Sequence, residues 1–396
     1  MNEENINAII DETGTGLKIG VIGIGNAGSQ VALAAAKRGI QVFIMNTSIK
    51  DLDDSVVGKS IKAHQIGDGR GSGKDRDNAM ALLKSNGAGG IKEIFENPYF
   101  RQTVMPADII FVTFSTAGGT GSGIGPKMTE MIHKAYPQKV VIPYGILPKN
   151  AESVMAQANA IACVDDITKI GVPYMLSDLS FYEAESQENS FKKIGEYMVD
   201  TMCVLRGDYM KMSANGMADE RDTLTVISEP GYMTVHIKDK INEASLANKT
   251  LQGYLIDEIK NSPACRIQRD GLLQYNLVIA NVSPVVDDPL KAGDYTELNS
   301  FVGEPKATFA NYAVDDACYD FQVMLVTSGL TVPMDRFAAA KAKIAANKAK
   351  YEKQSALNLH KEREETEIKG NKATNNVIMG SAASTEADLS FLSEEF

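Results

Sequence analysis

Residues 115–123 read Ser-Thr-Ala-Gly-Gly-Thr-Gly-Ser-Gly, after an apolar run from Ile109 to Val112 and before helically spaced Met128, Met131 and Ile132. A strand, a glycine loop and a helix in that order offer bare backbone N–H groups and a helix N-terminus to an anion. Glycine suits such a loop because a Cβ would hold the backbone away from a phosphate. The chemistry indicated is nucleotide binding.

Two further glycine loops precede it. Gly23-Ile-Gly25-Asn26-Ala27-Gly28 has GxGxxG spacing after a strand, which alone reads as a dinucleotide fingerprint. That fingerprint calls for an acidic residue at the end of the second strand, to take the ribose hydroxyls. Here the strand ends in Asn46-Thr47-Ser48, with Asp51 only later, which weakens the nicotinamide reading. Gly67-Asp-Gly-Arg-Gly-Ser-Gly-Lys-Asp-Arg76 adds Arg70, Lys74 and Arg76 to its glycines. Cations on a glycine loop suit a terminal phosphate, where charge is greatest. Taken alone this stretch reads as a solvated surface loop; the company of the other two changes that. No loop ends in Gly-Lys-Ser or Gly-Lys-Thr, so the phosphates must rest mostly on backbone amides.

These loops need elements to hold them. Residues 17–24 read as a buried strand, Ser29 to about Arg38 as an alanine-rich helix stopped by Gly39, and 41–45 as a second strand. That βαβ opening implies a parallel sheet with a right-handed crossover. Further strands are predicted at 109–114 and 139–143, with a short apolar segment at 172–176. The first half is thus expected to be a doubly wound α/β domain with its sites at the C-terminal ends of the strands. Phe191, Ile194, Met198, Met202, Leu205 and Tyr209 predict a long amphipathic helix over 190–213. A polar, turn-rich stretch follows, from Ser213 to Asp222. A helix near 238–260 and strands at Tyr275–Val282 and Gln322–Thr327 make the second half mixed α+β, ending near Pro333. Residues 335–369 predict a helix rich in Ala, Lys and Glu, basic in its first half (Lys341, Lys343, Lys348, Lys350, Lys353). Residues 370–385 have the composition of a disordered linker, and the acidic end carries Leu389, Phe391, Leu392 and Phe396.

Bulk composition bounds the class. A chain of 396 residues suggests about two domains. No apolar run approaches the ~20 residues that span a bilayer. The start, Met1-Asn2-Glu3-Glu4-Asn5, is too polar and acidic for a secretory signal. Cys163, Cys203, Cys265 and Cys318 are scattered, as are His64, His133, His236 and His360. That pattern fits a reduced cytoplasm, and no metal ligation by side chains is assigned. A net charge of −11 argues against nucleic-acid binding by the whole surface.

Together the loops resemble those of the tubulin/FtsZ superfamily. Ala117–Gly123 is similar to its fourth nucleotide loop, GGGTG[ST]G, with Ala117 in place of the first glycine. Gly25-Asn26-Ala27-Gly28-Ser29-Gln30 resembles the first loop, Asn46-Thr47 the second and Gly67–Arg76 the third. The Gly-Ser-Gly-Lys-Asp-Arg run of that third loop is most like the TubZ group of plasmid and phage homologues. The resemblance implies an α/β fold: a Rossmann-like parallel-sheet GTP-binding domain over 1–189, a long central helix over 190–213 and a smaller α+β activation domain over 214–334. A C-terminal helix over 335–369 and a flexible tail over 370–396 complete it.

The resemblance also implies GTP/GDP with Mg²⁺. Its nucleotide-binding positions are Gly25, Asn26, Ala27, Gly28, Gln30, Asn46, Gly69, Gly71, Gly73, Lys74, Ala117, Gly118, Gly119, Thr120, Gly121 and Ser122. Phe191 would stack on guanine. Glu196 stands about a turn later, where the family reads the guanine edge. A carboxylate accepts from guanine N1–H and the 2-amino group, and adenine offers no such donor pair. The plainer reading of Glu196 is a solvated helical acid. The fifth loop's ribose Glu has no counterpart in Pro143–Pro148, and Glu152 is its substitute; Ser177-Asp178 lies nearest to the sixth loop's Asn. The catalytic acids of the seventh loop map to Asp219 and Asp222 within Asn215–Asp222, placed to orient the attacking water. The plainer reading is that either caps a helix.

In the superfamily one subunit's seventh loop completes the next subunit's pocket. The resemblance therefore implies a head-to-tail filament of this chain in the cytoplasm, with GTP hydrolysed at each junction. The TubZ-like third loop and the long C-terminal helix favour plasmid or phage DNA segregation or positioning. A DNA-bound adaptor reached through the C-terminal helix and tail is the implied partner, with no membrane insertion. The alternatives are an FtsZ-like cell-division GTPase, a PhuZ-like phage-positioning tubulin, a non-polymerising nucleotide-binding regulator and, remotely, a NAD-dependent oxidoreductase.

Overall fold

Apolar residues line both faces of one large sheet. The computed structural model describes residues 16–55, 63–84, 90–211, 218–265, 267, 273–316, 318 and 320–350. The strands are β1 (Ile19–Ile24), β2 (Gln41–Asn46), β3 (Ala63–Gln65), β4 (Ile109–Ser115), β5 (Val140–Leu147), β6 (Pro173–Asp178), β7 (Gly231–Ile241), β8 (Tyr275–Val282), β9 (Ala307–Val314) and β10 (Phe321–Leu330). They form a ten-stranded sheet in the order β3-β2-β1-β4-β5-β6-β7-β10-β8-β9. The six strands from β3 to β6 are parallel. β7 joins β6 in parallel at Pro173↔Gly231 and Tyr174↔Tyr232, and β10 is antiparallel to both β7 and β8.

Seven helices position the site: α1 (Gly25–Ala36), α2 (Arg76–Lys84), α3 (Gly119–Ala135), α4 (Val154–Ile170), α5 (Gln187–Arg206), α6 (Glu220–Ser228) and α7 over 334–350. Successive residues of each parallel strand divide between two cores, as pleating requires. Val21, Ile44, Phe111 and Ile142 pack with Val31 of α1 and Ile194, Met198 and Met202 of α5. Ile22, Phe43, Val112 and Val141 pack with Ile124 and Met128 of α3 and Val164 and Ile167 of α4. The first half is therefore doubly wound, as expected. One compact unit spans residues 1–344, and 345–396 form a second, of which 345–350 are described and helical.

Several elements differ from the sequence reading. α1 begins at Gly25 and α3 at Gly119, so glycines expected in loops form first helical turns. β5 runs on to Leu147, and most of the stretch compared with a fifth loop is buried strand. α5 ends at Arg206 because Gly207 turns left-handed (φ 93°) and closes it. Residues 231–241, partly expected as helix, form β7; a short helix, Glu243–Leu246, follows, and a longer one starts at Leu251, capped by Thr250. Lys240 takes φ 55° within β7, where the pairing with β10 shifts register between Ile241 and Lys238. β9 had no sequence signal: it is the sheet's edge strand, and only its second half is buried. Asn215, Lys353, the 370–385 linker and the apolar residues of the acidic end lie outside the described residues. No helix among the described residues is long and apolar enough to cross a membrane.

Candidate nucleotide site

β2, β1 and β4 are parallel neighbours, so the loops that follow them open at one edge of the sheet, where ligands of doubly wound folds bind. The third loop joins them through backbone bonds. Gly71 N–H donates to Thr47 O (2.8 Å) and Ile49 N–H to Gly69 O (3.0 Å). Gly67, Gly69, Gly71 and Gly73 all take φ between 68° and 85°, a region that side chains seldom enter. Lys74 also takes it (φ 65°).

Hydroxyls close the ring. Thr47 Oγ1 lies 2.6 Å from Thr120 Oγ1, and Ser72 Oγ lies 3.2 Å from the same atom. Thr47 and Ser72 are buried. One side chain each from the second, third and fourth loops therefore meets at a point. The first loop touches the fourth, since a Cβ on Gly25 would sit 3.4 Å from Gly121 N. The fourth touches the third, since a Cβ on Gly119 would sit 2.7 Å from the Lys74 carbonyl carbon.

This cradle fits a phosphate chain. The helix start at α1 follows Ile24 and that at α3 follows Gly118, and neither is capped by a side chain. Gly118 has an ordinary backbone (φ −82°), and a Cβ there would meet nothing within 4 Å. Folding does not demand a glycine at 118. Ala117 is not among the left-handed residues, so its methyl adds no backbone strain. No group of three or more His, Cys, Asp or Glu among the described residues could hold a metal by itself. Mg²⁺ would then take its ligands mainly from phosphate oxygens and water.

Not every predicted residue faces the cradle. The side-chain amide of Asn46 is committed to its own loop, donating to Asp51 Oδ2 (3.1 Å) and accepting from Ser48 N (3.2 Å). Asn26 and Gln30 are exposed and bond each other at 3.1 Å. Arg76, expected with the phosphate cations, turns away to Asp166 on α4 and donates to Ser122 O at 3.2 Å. That carbonyl is available because Pro126, four residues on, has no N–H to give it.

Asn159 of α4 donates to Lys74 O and to Ala117 O, each at 3.1 Å, joining the third and fourth loops. Sequence reasoning missed Asn159. An asparagine mid-helix gives no local signal, and its partners lie far away in the chain.

On the opposite face of the sheet α5 lies beside α1. Gly195 approaches Val31, and Asp200 pairs with Arg38 at 2.6 Å, so the two helices run in the same direction. Burial raises the Asp200 pKa, outweighing the Arg38 charge that lowers it. Phe191 is half-buried against the core that Ala27 also packs against, at the end of α5 nearest the first loop. Glu196 is exposed, five residues on from Phe191 and about 140° around the helix. It faces the Tyr182 and Asp200 side, where its charge adds to burial in raising both pKa values.

Glu152 turns its carboxylate to Lys149 N (3.1 Å), and Lys343 of α7 donates to its backbone oxygen (2.8 Å). Asp178 is held by Arg336 of α7, and Ser177 donates to Tyr144 Oη at 3.1 Å. None of these is brought to the phosphate loops.

Asp219 and Asp222 form a capping box at the start of α6. Asp222 N–H donates to Asp219 Oδ1 (2.9 Å), and Asp219 N–H donates to Asp222 Oδ2 (3.1 Å). One oxygen of each carboxylate is thus engaged in holding the turn. A Cβ on Gly16 would lie 2.6 Å from Glu220 Oε1, so the pair stands near the N-terminal end of β1. The phosphate loops stand at its C-terminal end, about 20 Å away for a strand of six residues. α5 spans the same gap: from Phe191 near the first loop it runs about 22 Å to Arg206, which donates to Arg38 O (3.2 Å) beyond α1.

Residues 18–171 match the model of the Tubulin/FtsZ family, GTPase domain. The chain is 26% identical over 279 residues to the tubulin-like protein TubZ of Clostridium botulinum C phage, covering 68% of each protein. Its fold is similar to that of a tail-truncated TubZ from Clostridium botulinum phage c-st, with TM-score 0.64 and 21% identity, over 85% of this chain and 99% of that one. It is also similar to TubZ of Bacillus thuringiensis serovar israelensis in a GTPγS-form protofilament, with TM-score 0.68 and 15% identity, over 89% and 99% of the two chains. At these identities the structural likeness speaks to fold alone.

Proposed function

We propose that this chain, whose residues 18–171 match the model of the Tubulin/FtsZ family, GTPase domain, is a GTPase that assembles head to tail and hydrolyses GTP at the junctions between its own copies. One observation carries this reading: the phosphate loops and the acidic pair lie at opposite ends of the same sheet. A chain cannot bring its own Asp219 to its own cradle. A second copy stacked along the strand direction can. Such a contact joins two different surfaces and does not close, so it propagates as a filament.

Backbone amides at the starts of α1 and α3 hold the inner phosphates, and the third loop with Lys74 takes the terminal one. Phe191 lies under the base. Glu196 reads the base edge only if its carboxylate turns from the Tyr182 side. Mg²⁺, when bound, neutralises the phosphate charge. Asp219 and Asp222 of the adjoining copy hold a water in line with the terminal phosphorus. The new P–O bond forms to that water as the bond to GDP breaks, a reaction governed by positioning and charge. The TubZ likeness and the long C-terminal helix support a role in plasmid or phage DNA segregation, through an adaptor that binds α7 or the residues beyond it.

The capping box complicates an alanine test. Asp219→Ala removes a helix cap worth about 1 kcal/mol as well as a catalytic charge. Asn caps nearly as well as Asp, so Asp219→Asn separates the two roles. D219N is expected to bind GTP and sediment with it, while turnover falls at least about tenfold. Wild-type activity per subunit should climb steeply with protein concentration. A D219N protein that turns over at the wild-type rate would show that the acids only cap α6.

A further inference from the structure

We infer that Asn159 is a positioning residue for the terminal phosphate, clipping the cation-bearing third loop to the amide-bearing fourth. The inference rests on the nucleotide reading above and adds a residue from an element that reading does not use. Asn159 Nδ2 carries two hydrogens, and both are engaged, one on Lys74 O and one on Ala117 O at 3.1 Å each. The two acceptors belong to different loops.

Two further observations give the clip its purpose. Lys74 is a left-handed residue with a Cβ, a conformation that costs about 1–2 kcal/mol and needs something to hold it. The bond from Asn159 to its carbonyl supplies that hold. Because the peptide is planar, drawing Ala117 O toward α4 turns the Gly118 N–H to the opposite side. Asp166 repeats the device two turns along the same face of α4. It takes the guanidinium of Arg76, which in turn donates to Ser122 O. One face of α4 therefore draws three carbonyls of the two phosphate loops toward itself.

GDP lacks the phosphate that needs both loops at once. Loosening the clip should weaken a triphosphate more than a diphosphate. A residue that merely supports the fold would weaken both alike.

The test compares GTPγS and GDP affinities of the full chain by calorimetry for wild type, Asn159→Leu and Asn159→Ser, with thermal unfolding of the nucleotide-free proteins as a folding check. Leu keeps the volume and cannot donate; Ser is the second variant if Leu does not fold. Asp165→Asn, exposed on the same helix, is the control. The expected result is a loss of about tenfold for GTPγS, the worth of two net hydrogen bonds, with GDP changed less than about threefold. Equal losses for the two nucleotides, or none, would overturn the clip. Wild-type protein that binds neither nucleotide would overturn the reading on which it rests.

Discussion

Gly118 and Gly119 are adjacent and chemically identical, yet the structure gives them different duties. A Cβ on Gly119 would lie 2.7 Å from the backbone of Lys74, whereas one on Gly118 would project into open space. Gly119→Ala should therefore lower the thermal midpoint of the nucleotide-free protein by forcing the third and fourth loops apart. Gly118→Ala should leave that midpoint within about 2 °C of wild type and still lose guanine-nucleotide affinity, because only the ligand needs the space. Equal behaviour of the two variants in melting and binding would contradict the assignment of the cradle. At this scale the sequence showed which residue types do the chemistry, because glycine, hydroxyl and cation run together in it. It did not show which way each side chain turns. Asn46 and Arg76 were plausible ligands by type, and folding commits Asn46 to its own loop and Arg76 to α4 and the fourth loop. Asn159 was silent because its role exists only once α4 lies against the loops.

Among the elements, β7 departs most from the sequence reading, and its chemistry explains why. Lys238, Asp239 and Lys240 give its end a helix-like polarity, while Tyr232 to Val235 are buried between β6 and β10. His236 is buried there, bonded to Ser262 Oγ and Thr234 Oγ1 at 3.1 Å each. Burial pushes its pKa down from 6.5 to about 3, so the folded chain holds it neutral. The unfolded chain takes up a proton below pH 6.5 that the fold excludes. The stability tied to neutral His236 is thus complete above pH 6.5 and is lost as pH falls toward 3. The slope is about 1.4 kcal/mol per pH unit. Urea unfolding between about pH 7 and pH 5, above the carboxylate range, should show that decline, and His236→Asn should flatten it. A wild-type stability flat across that window would contradict the burial of a neutral histidine. The parallel strands β1, β2, β4 and β6 were legible because each is a continuous apolar run. The end of α5 was not, since Gly207 closes it through a left-handed backbone angle that composition does not reveal.

For the whole molecule, the ten-stranded sheet matters most because it sets a distance. The order of motifs along the chain suggested two halves of one active site. It could not say that β1 and α5 would hold them about 20 Å apart at opposite ends of the sheet. That separation makes a second copy necessary, and it is the central claim. The direct test is complementation. Gly118→Ala should lack a working cradle and keep its acids; Asp219→Asn/Asp222→Asn should keep the cradle and lack the acids. Each pure variant should be nearly inactive. An equimolar mixture places intact acids against an intact cradle at a share of its junctions, so GTP hydrolysis should reappear, well above the sum of the two variants alone. A mixture no more active than that sum would contradict a site completed between copies.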